Sequence, residues 1–148
     1  MTIHQFHLKA NWPGRRNSVG SIQSGNLQTK ISIPTEMDGP GIGTNPDEML
    51  LGAASTCYII TLAAMIERAD LPLAHMELES IGDVDVTKGV FTYKKITHYP
   101  MVRLKSDATA KQLSQLHDLV QKAEKTCMIS KAIQGNVELA VISDLSKA

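Results

Sequence analysis

Aromatic side chains are scarce in this sequence, only 4% of 148 residues. A surface that holds nucleic-acid bases by stacking needs several such rings together, so that mode of binding is not expected. Net charge is missing as well, because 15 basic side chains offset 15 acidic ones. This removes the electrostatic reason to expect nucleic acid or an anionic membrane surface as a partner. Cysteine occurs at two positions, Cys57 and Cys127. The opening stretch MTIHQFHLKANW lacks the charged and apolar blocks of an export signal, so the reducing cytoplasm is the expected compartment. There a permanent structural disulfide is not expected, and a cysteine pair points to catalysis or redox sensing. Metal-ligand spacing is also missing. His4 and His7 fall on opposite faces of a strand, so a metal site is not expected. No histidine is placed to form a Cys-His hydrolase dyad.

Long apolar runs are limited to one. Positions 49 to 66 carry no charge and approach the length of a membrane span. Gly52, Ser55, Thr56 and Thr61 interrupt the run, and Asp47, Glu48, Glu67 and Arg68 flank it. We read it as a helix buried in a core or a subunit interface, with no membrane partner. Hydrophobic residues at 43% and charged residues at 20% suit one globular domain spanning 1–148.

His4 to Ala10 alternates as a half-buried strand that Trp12-Pro13-Gly14 breaks. Val19 to Ile22 and Leu27 to Ile33 read as strands around a Ser24-Gly25-Asn26 turn. After a loop from Thr35 to Thr44, Asn45 is a helix N-cap, Pro46 the first helical position and Glu48 the partner closing a capping box. The helix runs to about Ala69. Met76 to Val86 and Val90 to Leu104 form a hairpin turning at Lys88-Gly89. An amphipathic helix starts at Asp107 or Thr109, with Leu113, Leu116, Val120 and Ala123 on one side. It reaches Cys127 and bends or restarts before Gly135, and Val137 to Ile142 closes as a strand. Strands grouped around two helical regions indicate an α+β fold.

The stretch GTNPDEMLLGAASTC, ending at Cys57, and the stretch CMISKAIQGNVEL, starting at Cys127, together resemble the OsmC/Ohr family of thiol peroxidases. The resemblance extends over nearly the whole chain. It implies N-terminal strands, a long central cysteine helix, a hairpin, a second helical region and a final strand, in an intertwined homodimer. It further implies reduction of organic hydroperoxides, protection against oxidative stress, and an external thiol or lipoyl-type dithiol reductant in place of a bound cofactor. Carried over, Cys57 is the peroxidatic cysteine and Cys127 the resolving one. Counting back from Gly25 and Pro34 selects Arg16 over Arg15 as the family's arginine. The acid after Asn45-Pro46 is Asp47, where the family usually has glutamate, and Glu48 is the possible substitute. Met128 and the Ser130-Lys131 pair depart from the proline and Ser-Asn pair of many members and look more like the OsmC branch than the Ohr branch.

The chemistry of the residues agrees. A thiol with a pKa of about 8.5 is mostly protonated at neutral pH, and burial raises it further. Arg16 can stabilise a thiolate because guanidinium stays charged, and Asp47 can hold its fork in place. Met49, Met65 and Met128 can line an adaptable apolar pocket. Against this stands a plainer reading. A cysteine on an apolar helix also serves as a small hydrophobe, Asp47 and Glu48 suit any helix N-terminus, and Arg15 and Arg16 suit a solvated turn. A non-catalytic dimeric binding module for a small hydrophobic ligand is therefore the alternative function.

Overall fold

In the computed structural model, which describes residues 1–148, the chain gathers into two units, Met1–Met49 and Leu50–Ala148. The first is built on an antiparallel meander of β1 (Lys9–Asn11), β2 (Gly20–Ser24) and β3 (Leu27–Ile31). Gly25, with φ of 57°, supplies the left-handed residue that a two-residue hairpin turn requires. The expected strand from His4 to Ala10 is cut short for a geometric reason. Lys9 pairs with Gln23, so β2 turns away before residues 4 to 8 can find a partner strand. Only the His7 carbonyl is engaged, accepting from the Ser24 hydroxyl at 2.7 Å, and Ile3, Phe6 and Leu8 remain exposed.

The loop after β3 contains one 3₁₀ turn, Thr35–Met37, and returns to the strand it left. Thr44 N–H donates to the Lys30 carbonyl at 2.9 Å, and Ser32 Oγ donates to the Ile42 carbonyl at 2.7 Å while accepting from Ile42 N–H at 2.8 Å. This close return needs glycine at position 43, where φ is 70° and a Cβ would run into the Lys30 carbonyl.

Helix α1 (Pro46–Arg68) is capped as expected, with Asn45 Oδ1 accepting from Glu48 N–H at 2.9 Å. The capping box is not closed as expected. Glu48 Oε1 instead accepts from the Thr44 hydroxyl at 2.9 Å. By length and composition α1 could cross a membrane, and 28% of its apolar window is buried within the chain. Burial is confined to one face, Ala54, Tyr58, Leu62, Met65 and Ile66, the spacing of a single helical stripe. Ile60, on another face, is 68% exposed, so the expectation of burial all round is corrected for the single chain.

The second unit continues with β4 (Leu73–Thr87) and β5 (Val90–Leu104), an antiparallel hairpin whose turn residues Lys88 and Gly89 both have positive φ, 52° and 75°. Helix α2 (Ala110–Thr126) starts at Thr109, with a full capping box to Gln112. After α3 (Met128–Ile133), strands β6 (Glu138–Val141) and β7 (Asp144–Lys147) both pair parallel to β5. The closing strand expected over 137 to 142 is β6, and β7 follows it as a further short strand. Ile142 N–H crosses to the His98 carbonyl at 2.9 Å between them. The core of this unit packs Tyr58, Leu62 and Ile66 of α1 against Val102 and Leu104 of β5 and Leu116, Val120 and Ala123 of α2. Burying a side chain of the Leu, Ile or Val kind contributes on the order of 1.5–3 kcal/mol relative to exposure.

Candidate active site

Cys57 lies one residue before Tyr58, a fully buried side chain of α1. The Tyr58 hydroxyl donates to the Val120 carbonyl at 2.7 Å, and its ring stacks on His98 with centroids 4.6 Å apart and planes 17° from parallel. His98 is fully buried, and its Nδ1 is 2.7 Å from Ser80 Oγ. These contacts fix the rotation of the helix, and Cys57, a 100° step back along it, is half-buried at the margin of the packed face.

The second cysteine is delivered by a break in the chain. Cys127 leaves the helical conformation, with φ −57° and ψ 128°, while its N–H still bonds the Ala123 carbonyl at 3.0 Å. α3 then begins without a side-chain cap, which leaves its first N–H groups free of intrahelical acceptors. Cys127 is fully buried, and both cysteines are free thiols.

The two thiols act on each other and are driven apart in acidity. Burial pushes Cys57 up, but the Cys127 thiol, the Ile129 N–H, the Thr61 hydroxyl and the Met128 N–H outweigh it, leaving Cys57 below the ordinary thiol value. Burial pushes Cys127 up, and its bond to Cys57 pushes it further, beyond what Ser130 and the Ile129 N–H recover. Hydrogen bonds donated to sulfur favour the thiolate. Cys57 is thus the readier of the two to give up its proton. Of these groups, sequence reading anticipated the two cysteines. Thr61 carried a signal, being four residues after Cys57 on a helix, but the N–H donors depend on the break at Cys127.

The other expected site residues lie in the first unit. Arg16 donates to the carbonyls of Met37 at 2.7 Å and Asp38 at 3.1 Å, and to Asn17 Oδ1 at 2.8 Å. Arg15 offers its carbonyl to Trp12 Nε1 at 3.0 Å. Asp47 is half-buried and Glu48 exposed. Met65 is 8% exposed within the core, so it fills the interior and does not line a substrate pocket, whereas Met128 is 72% exposed. Two cavities of the second unit, ≈ 990 Å³ beside the end of α1 and ≈ 600 Å³ beside α3, are lined by residues other than the cysteines.

An α+β fold with two free cysteines of unequal acidity that act on each other defines the class as a two-cysteine thiol protein. Residues 39–141 match the family model described as OsmC-like protein, and the chain belongs to the OsmC family. It is 68% identical over 139 residues to the uncharacterized protein YmaD of Bacillus subtilis, covering 94% of this chain and 93% of that one. It is 27% identical over 145 residues to peroxiredoxin OsmC of Escherichia coli, covering 94% and 96%. The fold is also that of a solved organic hydroperoxide resistance protein OsmC from Legionella pneumophila, at 22% identity and TM-score 0.74, covering 100% of this chain and 99% of that one.

Proposed function

We propose that this protein is a cysteine-based peroxidase that reduces organic hydroperoxides to alcohols and protects the cytoplasm against oxidative stress. The observation that carries the reading is the Cys57–Cys127 pair, with one thiol eased toward thiolate by donors and the other held protonated. A relative named as a peroxiredoxin supports it. In the reaction, the Cys57 thiolate attacks the distal peroxide oxygen. The O–O bond breaks, and the alkoxide takes a proton from solvent to leave as alcohol. Cys57 then carries a sulfenic acid. Cys127 sulfur attacks it, the disulfide forms, and hydroxide leaves with the Cys127 proton as water. An external dithiol, of thiol or lipoyl type, restores both thiols by exchange. A homodimer fits the same reading, since Ile60, Met128, Phe6 and Leu8 are apolar and exposed in the single chain.

Bulky alkyl hydroperoxides are expected to outcompete hydrogen peroxide. Burying an alkyl group against apolar side chains such as Ile60 and Met128 contributes roughly 25 cal/mol per Å², and hydrogen peroxide has nothing apolar to bury. Steady-state rates with cumene hydroperoxide and hydrogen peroxide, with a dithiol as reductant, test this. Equal kcat/KM for the two would remove the organic substrate class.

The family resemblance assigns Arg16 to the peroxide and thiolate and Asp47 to orienting the guanidinium. Arg16→Lys is expected to lose more activity than Arg15→Lys, because lysine keeps the charge but not the planar fork. Asp47→Asn should lose on the order of tenfold, the worth of one charge-assisted hydrogen bond, while Asp47→Glu keeps activity. Glu48→Gln should change stability only, because its carboxylate is engaged by Thr44. An inactive but folded Glu48→Gln would move the orienting role to Glu48.

A further inference from the structure

A tyrosine buried in a core needs a partner for its hydroxyl, and at Tyr58 that partner joins two helices. The hydroxyl donates at 2.7 Å to the Val120 carbonyl, 62 residues on in sequence. Tyr58 and Val120 are both fully buried. Val120 lies inside α2, so its carbonyl already accepts from the N–H four residues later. Tyr58 takes the second lone pair. The ring is held as well, stacked on His98 with centroids 4.6 Å apart, while Ser80 Oγ holds His98. Burial and the Glu124 carboxylate keep the phenol protonated, so the donor persists across the working pH range.

Each end of this tie sits on the same rigid element as one cysteine. Cys57 directly precedes Tyr58 on α1. Cys127 follows Val120 by two helical turns, about 10 Å along the axis, and shares its face of α2. The helical hydrogen bonding reaches that far, because Cys127 N–H still bonds the Ala123 carbonyl at 3.0 Å. A disulfide forms only when the two Cα atoms come within about 4.4–6.8 Å of each other. Sliding α1 on α2 by a fraction of a turn would use up that tolerance. We propose that Tyr58 is a positioning residue for disulfide formation, its hydrogen bond to Val120 fixing the register of α1 on α2 that brings Cys57 to Cys127. This rests on the reading of the two cysteines as a redox pair. The tie touches neither sulfur, so it acts on their encounter.

The test is the thiol–disulfide equilibrium of the full chain in mixtures of reduced and oxidised dithiothreitol. Peptide mass spectrometry reads the fraction of Cys57–Cys127 disulfide. Tyr58→Phe keeps the ring and its stack, so the core stays filled, and loses only the hydroxyl. It should lower the effective concentration of one thiol for the other about fivefold, the worth of one neutral hydrogen bond. A bond that served stability alone would weaken the dithiol and disulfide forms equally and leave this equilibrium in place. Thr109→Ala supplies that comparison, since it removes the α2 cap, a loss of similar size, without touching the tie. It should lower the melting temperature and leave the equilibrium unchanged. An unshifted equilibrium in folded Tyr58→Phe would overturn the proposal, as would equal shifts in the two variants. A wild type that forms no Cys57–Cys127 disulfide would overturn it together with the pairing it rests on. No peroxide enters the experiment, so the outcome is independent of whether the protein turns over hydroperoxides.

Discussion

Cys57→Ser is expected to consume no peroxide at all, whereas Cys127→Ser consumes one equivalent and stops. The asymmetry follows from where the charge sits. Only Cys57 is eased toward thiolate, by donors converging from Cys127, Ile129, Thr61 and Met128. A serine hydroxyl in the same place stays protonated across the working pH range and does not attack the peroxide oxygen. Cys127 holds its proton, being buried and already donating to Cys57, so it contributes after the first oxidation. Its serine variant should carry one added oxygen on the Cys57 peptide and no disulfide. Because serine retains a donor, Cys127→Ser should also react faster in this first step than Cys127→Ala. Peroxide consumption by both variants, with peptide mass spectrometry, checks the assignment. A Cys127→Ser variant that fails even the first reaction would reverse the two roles.

The second large effect is on stability against acid, and it arises at His98. This ring is fully buried between Tyr58 and Ser80, and burial lowers its pKa from 6.5 to about 4. Below pH 6.5 the unfolded chain takes up a proton at this position that the folded chain refuses until pH falls to about 4. Stability is therefore intact above the unfolded value and is lost progressively between the two. The difference corresponds to about 3 kcal/mol, using roughly 1.36 kcal/mol per unit. His98→Phe keeps a ring against Tyr58 but cannot be protonated. Denaturant unfolding at a series of pH values should show the wild type losing this increment relative to the variant as pH falls through the window. The variant sacrifices roughly 1 kcal/mol at neutral pH, from the lost bond to Ser80. Parallel stability curves for the two proteins would mean that His98 is protonated in the folded state as readily as in the unfolded one.

Local signals carried much of the fold into legible form. Asn45 before Pro46 marked the α1 cap, Lys88-Gly89 marked the hairpin turn, and Leu116, Val120 and Ala123 marked the buried stripe of α2. What escaped depended on partners distant in sequence. β1 is short because β2 turns at Gly25, a limit that the alternation of residues 4 to 10 cannot express. Glu48 reaches Thr44 and not Asn45 because the loop presents the Thr44 hydroxyl. The buried side of α1 could not be read because its pattern is apolar nearly all round, so only tertiary packing selects Tyr58 and Leu62 and leaves Ile60 out. The site divides in the same way. Cys57 and Cys127 stand in motifs that resemble a known family. The Met128 and Ile129 N–H donors exist only because Cys127 adopts ψ of 128° and interrupts the helix.

The most direct measurement is a count of free thiols before and after one equivalent of cumene hydroperoxide. The account predicts that Cys57 and Cys127 disappear together and return together on addition of a dithiol, with a Cys57–Cys127 disulfide as the oxidised product. Retention of both thiols would contradict it and leave the OsmC-family fold serving as a binding module in which the cysteines are passengers.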